Sequence, residues 1–140
     1  MINSWAQSLG LLFLRVSLGT TMLAAHGLDK LLHYKTLAPK FPSLLGLGSH
    51  VELMLAIFAE FFCSVLLILG IGTRLAAIPL IVTMLVAVTK FHADHAWNLK
   101  ELPVIYLCGF VTILLCGGGG FSLDRLLFRR NKAPRPAKTK

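Results

Sequence analysis

Residues 51–70 read VELMLAIFAEFFCSVLLILG, a twenty-residue run in which only Glu52 and Glu60 carry charge. An apolar run of that length is what an α-helix needs to cross the roughly 30 Å hydrocarbon core of a bilayer. Three further stretches have the same character, at 9–27, 75–91 and 102–119. None alternates apolar and polar residues as barrel strands do, and a helix satisfies every backbone group within its own segment. The expected fold is therefore all-α, an integral membrane bundle of four transmembrane helices filling residues 1–124.

Composition supports that reading from the surface inward. Of the 140 residues, 56% are hydrophobic and 14% charged, and the mean hydropathy is +0.74. A soluble shell around so small a core needs nearer a quarter charged residues, so the apolar excess must face lipid. The N-terminal MINSWAQSLG has no basic region ahead of its apolar run and no clear cleavage site after it, so the first stretch is expected to be a retained span. Turn signals separate the spans: Gly70 to Arg74, Asn98 to Pro103, and Gly117 to Gly120. Pro79 is expected to kink the third span or to sit in its opening turns. Pro39 and Pro42 flank an expected interfacial or re-entrant piece in the longest connection.

The formal net charge is +8, but half of the 14 basic residues lie in the tail after Asp124: Arg125, Arg129, Arg130, Lys132, Arg135, Lys138 and Lys140. A basic segment just outside a span is an orientation signal and a contact for anionic lipid headgroups, not a nucleic-acid surface. Residues 125–140, with Pro134 and Pro136 and no apolar period, are expected to be disordered. Counting the tail with Arg74 on one side, against Lys30, Lys35, Lys40, Lys90 and Lys100 on the other, puts both termini and the Arg74 turn in the cytoplasm. Trp5 and Trp97 read as interfacial anchors.

Charges inside the spans are the least expected residues, since one at the centre of a membrane helix costs about 2.5–3.5 kcal/mol on insertion scales. Arg15, Gly19, Met22 and His26 share one face of the first helix, and Asp29 and Lys30 continue it. Glu60 lies midway along the second, with Ala56 and Ser64 on the same side. Thr83, Ala87 and Lys90 make the expected inward line of the third helix, and Glu101, Cys108 and Thr112 that of the fourth. Arg15 and Glu60 are expected to form an intramembrane ion pair. Its role is either to hold helix register or to line a ligand or proton site, unless Arg15 snorkels alone to the surface. A second, titratable cluster is expected at the outer ends, from Glu52, His92, Asp94, His95 and Glu101 with His26 and Lys30. His92 and His95 lack a third ligand, so no metal site is expected, and Cys63, Cys108 and Cys116 read as packing residues.

In order and spacing these residues resemble the DoxX family of small bacterial membrane proteins, from about Leu12 to Leu126. The resemblance is carried by Arg15 with Gly19, the His26-Gly27-Leu28-Asp29-Lys30 run, Glu60, the Leu69 to Arg74 turn, Ala87, His92 and the Gly118 to Asp124 segment. It implies a four-span protein of the bacterial cytoplasmic membrane, associated with thiosulfate:quinone oxidoreductase and with redox stress. The chain has no G-x-G-x-x-G, haem C-x-x-C-H or cysteine cluster, so any electron carrier must be a diffusible quinone or belong to an oxidoreductase partner subunit. Three functions stay open: a quinone-linked membrane component, a transport component, and a non-catalytic scaffold. Self-association is also expected, because four short helices enclose little interior.

Overall fold

The computed structural model describes residues 4–129 and contains helices and turns only. Helix α1 (Ser4–Leu32) crosses in one direction and α2 (Tyr34–Leu37) is a single turn in the connection that follows. Helix α3 (Ser49–Leu69) returns, α4 (Thr73–Phe91) crosses again and α5 (Trp97–Cys116) comes back. Helix α6 (Leu123–Arg129) is a short piece after the glycine segment. The four long helices contain 19 to 29 residues, close to 30 Å or more at 1.5 Å per residue. They are long enough and apolar enough to span a membrane, and the apolar surface they leave outward-facing, including Phe13, Leu75 and Leu115, suits lipid.

The start of α1, the α3–α4 turn and α6 share one end, the tail face; residues 33–48 and the turn at 92–96 form the other, the loop face. Residues 125–129, expected within a disordered tail, belong to α6, because Leu123, Asp124 and the residues after them complete a helical segment docked on the α3–α4 turn. The expected disorder of 130–140 lies outside the described residues. Pro79 and Pro103 each occupy the seventh position of their helix, early enough that few ladder bonds are lost.

Two apolar clusters hold the bundle. The larger joins Met22, Cys63, Leu67, Ala76, Ala77, Leu80, Met84, Tyr106, Phe110 and Ile113. A smaller one under the loop-face connection joins Ala38, Leu53 and Ile57. The fourth span does not turn the expected face inward. Pro103, Tyr106, Phe110 and Ile113 are buried, whereas Glu101, Cys108 and Thr112 are exposed, as is Lys90 in α4. The Thr112 hydroxyl donates to the Cys108 carbonyl at 2.8 Å, and a hydroxyl satisfied within its own helix needs no inward partner.

Helices α1 and α3 approach closely where small residues allow it. A Cβ on Gly27 would lie 2.4 Å from the Glu60 carbonyl oxygen, and one on Gly19 would meet Ile68 at 2.7 Å. Three spans also contain a π-helical turn, Leu23–Gly27 in α1, Phe58–Cys63 in α3 and Ala87–Phe91 in α4. Each rotates the residues beyond it relative to a regular helix.

Gly27→Ala should separate α1 from α3, since the obstruction is backbone. Overpacking of this kind costs about 1–3 kcal/mol, read as a lower denaturation midpoint in mild detergent. Gly10→Ala, with nothing within 4 Å of the new methyl, should leave the midpoint unchanged.

Candidate functional site

On the loop-face half of the bundle, between the two apolar clusters, lies a cavity of about 750 Å³. Its walls are mostly aliphatic and aromatic, from α1, α3, α4, α5 and the connection at 41–45. Its few polar groups are His26 and Lys30 of α1, Glu52 and Glu60 of α3, Thr83 and His92 near α4, and Asn98 and Tyr106 of α5. All three π-turns reach it, through His26, Glu60, and Ala87 with Phe91. Such turns recur at functional sites because the extra residue re-aims side chains without breaking the helix.

The cation that matches Glu60 is Lys30. Its ammonium donates to the Glu60 carboxylate, which is buried while Lys30 stays partly open to the cavity. The contact of Gly27 with the Glu60 backbone sets the level at which α1 and α3 meet. Lys30, about one helical turn further on, therefore reaches the carboxylate. The His26 ring meets the Tyr106 ring edge to face, centroids 6.2 Å apart, and Tyr106 stacks on Phe110 at 5.9 Å. An ammonium, a carboxylate, an imidazole and a phenol thus line one apolar chamber, a set able to hydrogen-bond a carbonyl and to pass protons.

The expected ion pair of Arg15 with Glu60 does not form. The Arg15 guanidinium is buried at the other end of the bundle, packed on Gly70, where Nη2 donates to the Phe121 carbonyl at 2.7 Å. Gly70 and Glu60 are ten residues apart on α3, about 15 Å along the axis, and the antiparallel register that puts Gly27 on Glu60 puts Arg15 at Gly70. Gly70 is left-handed (φ +74°); a side chain there would be strained and its Cβ would overlap the guanidinium.

The outer-end cluster separates into different roles. Glu52 accepts from Ser43 Oγ, Leu44 N, Leu45 N and Leu47 N at 2.7–3.0 Å, so its carboxylate anchors the connection that roofs the cavity. His92 and His95 share an Nδ1–Nδ1 hydrogen bond at 3.0 Å, but His92 alone lines the cavity. Burial first, then the neighbouring His95 and Lys100, push His92 below its ordinary range. Glu101 is exposed and outside the cavity wall. Arg74 sits on the tail face, donating to the Leu115 carbonyl at 3.1 Å. Among the described residues no group of three or more His, Cys, Asp or Glu is arranged to hold a metal ion.

A family model described as DoxX matches residues 10–93, more than half of the chain. The chain belongs to the DoxX family. An uncharacterized protein of Haemophilus influenzae is 34% identical over 76 residues, 51% of this chain and 50% of that protein. An uncharacterized membrane protein of Mycobacterium tuberculosis is 33% identical over 88 residues, 53% of this chain and 54% of that protein. The chain spans about half the length of these curated relatives. No solved structure matches it.

Within this DoxX-family protein the matched segment contains Arg15, His26, Lys30, Glu60 and His92, but not Tyr106 or Asp124. Tyr106 carried no signal in the sequence, since a lone tyrosine in an apolar run reads as core. Asp124 closes the tail face. Its carboxylate accepts from Gly72 N at 2.7 Å and from Thr73 N and Oγ1 at 2.9 Å each, while its own N–H donates to Gly70 O at 2.9 Å. Burial pushes this carboxyl up, but the bonds from Thr73 and Gly72, with the nearby Arg15 charge, hold it below its ordinary value.

A double-mutant cycle on denaturation in detergent should give coupling above about 1 kcal/mol between Lys30→Met and Glu60→Gln, and near zero between Arg15→Met and Glu60→Gln. Equal coupling in both cycles would contradict the observed pairing. Because the folded form depresses Asp124, its contribution is complete at neutral pH and fades as the pH falls through and below the ordinary carboxylate range. Asp124→Asn should therefore lower the midpoint at pH 7 and approach the natural chain as the pH falls below the ordinary carboxylate range.

Proposed function

We propose that this DoxX-family protein is a quinone-binding membrane component of an oxidoreductase system, with the headgroup held beside Lys30, Glu60, His26 and Tyr106. The observation that carries this reading is an apolar chamber of about 750 Å³ whose wall presents those four groups together. Binding sites for small apolar ligands have this composition, a mostly hydrophobic lining with a few converging polar groups. A quinone is flat and lipid-soluble, with two carbonyl oxygens as its only strong acceptors. Lys30 and His26 supply donors for one carbonyl and Tyr106 a third donor across the chamber.

Reduction of a quinone to a quinol consumes two electrons and two protons. The hydrogen-bonded Glu60 and Lys30 lie at the proposed headgroup position, and His26 and, at the loop face, His92 line the same chamber as further proton-carrying groups. The two electrons come from an oxidoreductase partner subunit. In a bacterial cytoplasmic membrane, the excess of Lys and Arg on the tail face would put both termini in the cytoplasm and the chamber in the outer half of the bilayer. The scaffold reading draws support from Arg15, Glu52 and Asp124, whose bonds all hold backbone in place. It gives no role to the chamber.

The test is quinone content per chain after gentle transfer into lipid discs. The natural chain should carry close to one quinone, enriched over bulk lipid. Glu60→Gln and the chamber-filling Ala56→Phe should lose it, and His95→Gln, outside the chamber wall, should keep it. No enrichment in the natural chain would sink the quinone reading and leave the scaffold.

A further inference from the structure

The tail face carries a second hollow, of about 330 Å³, lined by Ser4, Trp5 and Ser8 of α1, Gly120 and Phe121 of the glycine segment, and Arg125 and Leu126 of α6. Two polar groups converge at its floor. A Cβ on Gly120 would lie 2.6 Å from Ser8 Oγ and 2.7 Å from Arg125 Nη1, so a hydroxyl and a guanidinium flank the same point from different helices. The absence of a side chain at Gly120 lets Ser8 and Arg125 close in over its Cα, so a methyl there would displace the guanidinium. Phe121, beside Gly120, is fixed from behind by the bond from Arg15 to its carbonyl.

Charge decides what this hollow attracts. The chain has six acidic residues. Asp29, Glu52, Glu60, Asp94 and Glu101 all lie at or toward the loop-face half, so Asp124 is the one carboxylate at the tail face. It is already engaged by Gly72 and Thr73. Arg125 forms no ion pair among the described residues. The hollow also stands at the depth of a bilayer interface. Trp5, at the first turn of α1, is exposed, and α6 displays Leu126 and Leu127 beside Arg125, the pattern of a helix lying at a headgroup boundary.

We propose that the hollow is a phosphate site occupied by the headgroup of an anionic phospholipid. The Arg125 guanidinium donates to the phosphate oxygens, and Trp5 and Leu126 flank the glycerol and the first carbons of an acyl chain, while the Ser8 hydroxyl, which donates to the Ser4 carbonyl at 2.8 Å, borders the site without supplying a donor. Arginine suits this role because its planar fork matches phosphate geometry. The lipid would fasten α6 to the start of α1, two elements that meet at the tail face without an ion pair between them among the described residues.

Native mass spectrometry of the full chain, released from discs containing equal phosphatidylglycerol and phosphatidylcholine, tests this. The natural chain should retain one phosphatidylglycerol in preference to phosphatidylcholine. Arg125→Gln should cut that retention about tenfold, as loss of a hydrogen bond to a charged group does. Gly120→Ala should do the same without changing charge, because the methyl would push the Arg125 guanidinium out of its place at the hollow. Lys132→Gln, which removes one charge from the tail, should change little. Denaturation midpoints in phosphatidylcholine alone confirm that each variant is folded. Three results would overturn the site: no preference for the anionic lipid, equal loss with Lys132→Gln, or full retention in folded Gly120→Ala. Displacement of the lipid by millimolar inorganic phosphate would show that the site takes free phosphate instead.

Discussion

A carboxylate placed in the apolar half of a membrane bundle needs a partner, and the match of Glu60 with Lys30 sets the relation of α1 to α3. Taking either charge into hydrocarbon alone is costly, and removing one partner leaves the other exposed to that cost. The pair is reachable because Gly27 lets the two backbones touch at the Glu60 carbonyl. The same closeness places Gly19 over Ser64 and Ile68 and leaves Arg15 at the level of Gly70. One helix contact therefore decides the position of both intramembrane charges. The loop-face charge opens onto a chamber, whereas the tail-face charge is sealed into a turn.

The two ends of the bundle consequently use their polar residues differently. At the tail face Arg15 and Asp124 are spent on backbone groups of the 70–73 turn and the glycine segment, binding the C-terminal piece to the rest. At the loop face Glu52 does similar work for the connection at 43–47. Between them Lys30, Glu60, His26 and Tyr106 face space large enough for a ligand, with three π-turns around it. Backbone-holding charges and chamber-facing charges look alike in a sequence, because both are ionisable groups in apolar runs.

This explains where inference from residue order succeeded. Helix number followed from apolar length, which depends only on bilayer thickness and backbone satisfaction. Singling out Arg15, Glu60, His26 and Lys30 followed from the cost of burying charge. The Arg15–Glu60 pairing did not, since it required the relative height of two helices, and that height is set by backbone contact at glycines. The expected inward line of α5 failed for a related reason: Thr112 is satisfied within its own helix, and Tyr106 and Phe110 fill the interior instead.

By itself, then, the sequence determined a four-span helical protein, its DoxX kinship and the short list of residues that could not face lipid. Those are properties of single segments and single side chains, governed by transfer of groups between water and hydrocarbon. Only the tertiary structure decided which charges meet, that Glu52 and Asp124 hold backbone, and that a chamber and a tail-face hollow lie between helices. These depend on register and on side chains far apart in the chain, and a few ångströms of sliding would reassign every partner.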